Sequence, residues 1–293
     1  RVSPWASSRE ALAFPEFYGQ ETRVFAGTVA SRTNRMICTA PVTYIGGEQL
    51  KRDLANLKAA VTATGASEAF VPSISPIDVV ASQDNEHYKT EEEFVTAVAD
   101  ALRVEYKAIV DAGFVLQIDD PRLINYYVKN SQLSDAECRA WAEKQVEAIN
   151  HALRGIPEHR VRYHTCYGIN MGPRVHDMEM KDFIDIVLKI RAGAVSFEAA
   201  NPRHEHEWKL WETIKLPAGK TIIPGVITHS SLLVEHPELV AERIMRYAKV
   251  VGRENVIAGG DCGFGTQAMA EPEVHPSIVW AKFQAMVEGA RIA

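Results

Sequence analysis

Cysteine is scarce in this chain: Cys38, Cys138, Cys166 and Cys262 are the four among 293 residues. They are too few and too scattered for a disulfide framework, and they fit a reducing compartment in which a thiolate stays free for metal or catalysis. Long apolar runs are missing too. None approaches the roughly 18 residues that suggest a membrane-spanning helix, so no membrane association is expected. Positive charge is in the minority, 32 Lys and Arg against 38 Asp and Glu, for a formal net charge of −6. That balance gives no global field to recruit nucleic acid or anionic lipid, which leaves small molecules as the expected partners. No secretory leader pattern opens the chain, and the expected location is the cytoplasm. No low-complexity linker separates two halves, so residues 1–293 read as a single domain.

What the sequence does contain is an alternation of short apolar runs with longer amphipathic stretches, the pattern of strand–helix units on a parallel sheet. Strands are predicted at residues 36–40, 69–72, 114–118, 160–164, 194–197, 221–226 and 256–258. Helices are predicted at 48–64, 91–112, 134–153, 181–192, 206–214, 237–251 and 276–291. Leu50, Leu54, Leu57 and Val61 share one face of the first helix. Ser134 with Glu137 three residues on forms a capping-box signal for the third. A doubly wound open sheet would want a glycine-rich phosphate turn after an early strand, and no GxGxxG occurs. The expected fold is therefore an α/β (β/α)8 TIM barrel. Its eighth strand, the first in order, is expected upstream of Arg1 or within residues 1–35.

In such a barrel the active site lies at the carboxyl ends of the strands. The polar residues at those ends are Asp119 and Asp120, His164 and Cys166, Ser196 and Glu198, His229, and Asp261 and Cys262. His164 and Cys166 are two apart on an extended segment and so point the same way. Wide separation of the other donors argues against a zinc finger or ribbon, and two thiolates favour zinc over magnesium, calcium or manganese. Taken alone, His164-x-Cys166 is a weak signal, since a lone strand-end His is more often a hydrogen-bonded structural residue. Cys38 and Cys138 read as small buried apolar residues.

At His164-Thr165-Cys166-Tyr167, Ser196-Phe197-Glu198, Pro224-Gly225-Val226 leading to His229, and Asp261-Cys262-Gly263, the chain resembles the cobalamin-independent methionine synthase family, within it the short single-barrel members. Gln117-Ile118-Asp119-Asp120-Pro121 is similar to the family's substrate-binding strand end. The resemblance runs from about Met36 to the C-terminus, in order and approximate spacing. It implies a zinc-dependent thiol S-methyltransferase, with homocysteine as the leading acceptor and Zn2+ held by His164, Cys166, Glu198 and Cys262. It implies that Asp119 holds the acceptor's amino group, with Asp120 and Ser196 beside it on the substrate, and that His229 donates a proton. Glu198, a carboxylate among thiolates, is the ligand expected to yield to an incoming sulfur. The alkyl donor implied is methylfolate, or a corrinoid protein. The family's early His-Gly-Glu motif has no match in residues 1–35, where Arg9-Glu10 is the nearest and a poor candidate.

Two thiolates and a carboxylate give a zinc site that is net anionic, a poor Lewis acid for hydrolysis but one that leaves a bound sulfur nucleophilic. The alternatives on the same barrel are transfer to coenzyme M from an epoxide, for which Arg122 or Arg203 would hold the sulfonate, and a metal-free barrel like uroporphyrinogen decarboxylase. A non-catalytic barrel with structural zinc is a third. The His- and Glu-rich stretch Asn201–Trp208 reads as a rim loop making contacts behind the site or with substrate rather than a second metal centre. Trp141, Trp208 and Trp280 read as packing residues. Tyr126-Tyr127 are expected either to line the pocket or to cover the rim.

Overall fold

Apolar runs such as Thr221-Ile-Ile-Pro-Gly-Val-Ile227 have no polar face, so each must be covered on both sides, as strands of a helix-covered parallel sheet are. The computed structural model describes residues 8–18, 36–168, 173–264 and 274–293. Its strands are β1 (Met36–Cys38), β2 (Phe70–Ile74), β3 (Gln83–Asn85), β4 (Val115–Asp120), β5 (Val161–Thr165), β6 (Ala194–Phe197), β7 (Thr221–Ile227) and β8 (Gly259–Gly260). The α-helices are α1 (Arg9–Ala13), α2 (Pro15–Tyr18), α3 (Gly47–Thr64), α4 (Pro76–Val80), α5 (Glu91–Asp111), α6 (Arg122–Lys129), α7 (Asp135–Ala152), α8 (Ile184–Val187), α9 (Pro237–Val251) and α10 (Pro276–Ile292). Strands β2, β4, β5, β6, β7 and β8 pair side by side in chain order, all parallel. Parallel neighbours returned by crossovers bring every carboxyl end to one rim, the construction of a (β/α)8 barrel. The fold class is the expected one, with these six strands forming its described arc.

Local chemistry explains the longer helices. Thr90 caps α5 by accepting from the Glu93 backbone N–H, and Glu91, Glu92 and Glu93 sit against the positive end of the helix dipole. The buried stripe of α5, from Phe94 and Val98 through Leu102 to Tyr106 and Ile109, packs into the main core with Leu116, Ile118 and Tyr163 of the sheet. Burying each such aliphatic side chain contributes about 1.5–3 kcal/mol. The capping box at Ser134 and Glu137 is present at the start of α7. No helix among the described residues is long and apolar enough to cross a membrane.

Several boundaries differ from those predicted. The helix expected over 181–192 is reduced to a 3-10 turn, Met180–Asp182, and the single turn α8. Phe183, Ile184, Ile186, Val187, Ile190 and Ala192 are all buried. The stretch 206–214 is likewise a 3-10 helix, Glu205–Glu212. The last strand lies later than 256–258. Val256 makes one isolated bridge to Ile222, and the ladder resumes at Gly259–Gly260 beyond an irregularity in β7. Strand β1 pairs with β3 instead of joining the arc. An eighth barrel strand within 1–35 falls on positions 1–7 and 19–35, outside the described residues, while 9–13 and 15–18 are helical.

Candidate metal centre and its rim

Strand β5 delivers His164 and, one residue past its end, Cys166; β8 delivers Cys262, two residues past its own. One donor atom from each of the three lies within 4.8 Å of the others, and among the described residues this is the one such grouping. The two Sγ atoms are 3.4 Å apart and both cysteines are free. A disulfide would need about 2.05 Å. The bond to Cys262, reinforced by burial, pushes the Cys166 thiol well above its ordinary value. Two thiolates that close together need a cation between them.

His164 is oriented by its neighbour in the sheet. His164 and Ser196 stand in register across β5 and β6, and His164 Nδ1 shares a 3.0 Å hydrogen bond with the Ser196 hydroxyl. Its Nε2 is buried and has no partner among the described residues. Buried polar atoms are nearly always paired, so an imidazole nitrogen left open beside two thiols fits a soft-to-borderline divalent metal. Burial lowers the imidazole's affinity for a proton, but Cys166, Asp119 and Glu198 outweigh it and raise its pKa.

Glu198 lies one residue past β6 and is 1 % exposed. It is not within the three-donor grouping. Its Oε1 accepts the Tyr167 backbone N–H at 2.8 Å. Its Oε2 accepts from Arg174 Nη1 and Nη2, each at 3.1 Å, and from Asn201 Nδ2 at 2.8 Å.

The two aspartates of β4 part company because successive strand residues face opposite sides. Asp119 is in register with His164 on β5 and so shares its face. It is half-buried, and its Oδ1 accepts from Gln117 Nε2 at 2.6 Å. Asp120 faces the other way and is fully buried. Its Oδ1 caps α6 by accepting from the Arg122 and Leu123 backbones, and its Oδ2 accepts from Tyr163 OH at 3.1 Å. Burial pushes its carboxyl up to about 6. Asp120 therefore ties β4 to α6 and β5, where the sequence suggested a substrate contact. Ser196, also expected on the substrate, is engaged by His164.

His229 follows β7 and is 1 % exposed, with no hydrogen-bond partner for either ring nitrogen among the described residues. Burial is the largest influence on it. Arg174, His164 and Lys282 add to that effect, Asp261 opposes it, and the pKa falls to about 4. The imidazole is thus neutral near pH 7, where an unperturbed one, with a pKa near 6.5, would be partly charged.

Asp261 is the positioning residue that sequence reading left without a role. Fully buried, it accepts through Oδ1 from the Ala199 and Ala200 backbones, both at 2.7 Å, and through Oδ2 from Asn201 Nδ2 at 3.2 Å. It thereby clamps the loop after Glu198 to the residue before Cys262. Gly225 makes room for it: a Cβ at that position would lie 1.9 Å from Asp261 Oδ1 and 2.8 Å from its Cα. The signal was present in Pro224-Gly225-Val226, but its meaning depends on a partner 36 positions away.

The rim loop after Glu198 builds an ionic cluster. His204 lies between Glu207 (Nδ1, 2.9 Å) and Asp177 (Nε2, 3.2 Å) and stacks on Tyr167 at 4.1 Å. Burial opposes its protonation, yet the bonds to Asp177 and Glu207 prevail and raise its pKa to about 9. The raised value corresponds to roughly 3 kcal/mol of stability, present below the unfolded pKa near 6.5 and lost as pH rises through about 9. Denaturant midpoints taken at pH 7 and pH 10 are expected to fall further in the wild type than in His204→Gln. Equal falls in the two proteins would remove His204 as the source.

Tyr126 stacks on Trp141 at 3.7 Å and Tyr127 lies beneath the Arg9 guanidinium. Trp208 packs against the core. Trp280 departs from the packing role expected of it, being 72 % exposed with an edge contact to Phe283. Arg122, one of two cations considered for a sulfonate, is paired with Asp78.

A family model described as cobalamin-independent synthase, catalytic domain, matches residues 18–291. The methionine synthase of Thermococcus kodakarensis is 26% identical over 225 residues, 76% of this chain and 56% of that protein. That of Saccharolobus solfataricus is 28% identical over 211 residues, 71% of this chain and 53% of that protein. This chain thus spans little more than half the length of these relatives. A solved structure of a B12-independent methionine synthase from Shewanella sp. W3-18-1, in complex with selenomethionine, matches with a TM-score of 0.64 at 20% identity. That match covers 86% of this chain and 67% of the other, and it establishes the shared fold.

Proposed function

Because this chain belongs to the cobalamin-independent synthase family through its catalytic domain, we propose that it transfers an alkyl group, methyl in the leading version, to the thiol of homocysteine. The observation that carries the reading is the convergence of His164, Cys166 and Cys262 donor atoms within 4.8 Å, with His164 Nε2 unpartnered among the described residues. In this reading those three residues and Glu198 hold Zn2+. Bound there, Zn2+ supplies the positive charge that makes a substrate thiol a thiolate at neutral pH.

The chain's own side chains do the rest. Ser196 engages His164 Nδ1 and so fixes the ring, which leaves Nε2 free to bind the ion. Asp119, on the His164 face of β4, holds the acceptor's ammonium group by a charge-assisted hydrogen bond. Its single side-chain bond, to Gln117, leaves acceptor capacity for that contact. His229, neutral and unpaired, handles the proton that the leaving nitrogen of a methylated amine needs. The donor is a small methylfolate or a corrinoid protein. A cytoplasmic location and small-molecule substrates complete the reading.

The test is titration of the Co2+-substituted protein with homocysteine and, separately, with coenzyme M, following the metal–sulfur charge-transfer band. A new sulfur contribution with homocysteine supports the reading. A response to coenzyme M alone would move the acceptor to a sulfonate thiol, and no response to either would defeat thiol alkylation altogether.

A further inference from the structure

Glu198 has two claimants. One is the metal that the three-donor grouping fits; the other is Arg174, whose Nη1 and Nη2 both donate to Glu198 Oε2 at 3.1 Å. Their side chains are 9% and 0% exposed, so solvent screens the pair little.

The guanidinium is itself held in place. Nε donates to Asp177 at 2.8 Å, and the group lies 5.0 Å from the centroid of the Tyr167 ring, on the residue next to Cys166. The backbone around Arg174 is pinned from two sides. Glu10 Oε1, on α1, accepts the Val175 and His176 N–H groups at 2.7 and 2.6 Å, and Arg203 Nη2 donates to the Val175 carbonyl at 3.0 Å. With every guanidinium nitrogen engaged by protein, Arg174 is poorly placed to receive a substrate anion. It is well placed to hold a carboxylate.

We infer that Arg174 is a positioning residue that competes with the metal for Glu198, so that the chain presents three committed donors, His164, Cys166 and Cys262, and holds the fourth in reserve. This rests on the metal reading above. A carboxylate exchanging between a guanidinium and a cation can leave the metal without being stranded as an unpaired buried charge, a strongly unfavourable state. Arg174 thus keeps open the position that an incoming sulfur takes, while the thiol's proton leaves to water.

The experiment is a double-mutant cycle read as Zn2+ affinity, by competition with a chromophoric chelator, in wild type, Arg174→Gln, Glu198→Gln and the double variant. Arg174→Gln is expected to tighten Zn2+ binding at least tenfold, the scale of one charge-assisted hydrogen bond released. In the Glu198→Gln background the same change is expected to shift affinity less than about twofold. Arg174→Lys retains the charge but not the paired donors, and is expected to tighten binding by about threefold. It carries the test if Arg174→Gln does not fold. Unchanged or weaker affinity in the folded Arg174 variants overturns the inference. So does tightening of equal size on Glu198→Gln, which would be a general field effect. A wild-type chain that binds neither Zn2+ nor Co2+ overturns the metal reading and this inference together.

Discussion

Replacing either Cys166 or Cys262 by Ser is expected to take the zinc content from about one ion per chain to near zero, with the barrel still folded. A zinc ligand must be deprotonated to bind, and a serine hydroxyl does not ionise near neutral pH as a metal-assisted thiol does. The loss is not shared out among the other donors, because Glu198 is already engaged by Arg174, Asn201 and the Tyr167 backbone. The fold should survive because Cys166 and Cys262 lie outside the hydrophobic clusters that pack the sheet against its helices. Elemental analysis beside far-ultraviolet circular dichroism checks both halves. Full zinc in both serine variants would dismiss the three-donor centre.

The second large effect is expected at His229. His229→Asn should lower turnover by about 10²–10⁴-fold, the usual contribution of a positioned proton donor or acceptor, while zinc content and acceptor affinity stay within a few-fold of wild type. Burial holds the imidazole neutral, with a pKa near 4, and both nitrogens lack partners among the described residues. An unpaired buried nitrogen costs about 1–3 kcal/mol, so its retention points to a partner that arrives with the reactants. The sequence offered His229 as a proton donor. With its pKa lowered to about 4, a proton that His229 delivers would have to be taken up as the reaction proceeds rather than carried beforehand. Steady-state kinetics with metal analysis separates the roles, since loss of zinc in His229→Asn would make His229 a ligand.

The parts of the molecule legible from sequence share one property: their meaning is local. The capping box of α7 spans four residues, and the strand-end position of His164 and Cys166 follows from a single apolar run. Asp119 and Asp120 could not be told apart until the register of β4 against β5 was fixed, because one position decides which face a side chain takes. Arg174 and Asp261 were opaque for a different reason. Their partners lie 24 and about 60 positions away, and an arginine or aspartate in a loop carries no mark of what it will meet. Glu10, the poor candidate for a missing motif, acts on the backbone of Val175 and His176, about 165 positions on. The short element after β5 was missed because Lys181, Asp185 and Lys189, exposed at helical spacing, carry the amphipathic signal of a full helix where the chain forms only short turns.

Cys166 and Cys262 are 96 positions apart in sequence, and the strands that carry them are separated by two others in the sheet. An ion held by both is therefore a rivet across the arc. It draws β5 towards β8 across β6 and β7, past whose ends lie Glu198 and His229. In the unfolded chain the same two sulfurs wander freely, and closing a loop of that length forfeits considerable chain entropy. Coordination recovers that loss only once the sheet has curled to the right radius. The ion then acts as a gauge of barrel curvature as well as a reagent, and a chelator would slacken the rim on which every reactive side chain stands.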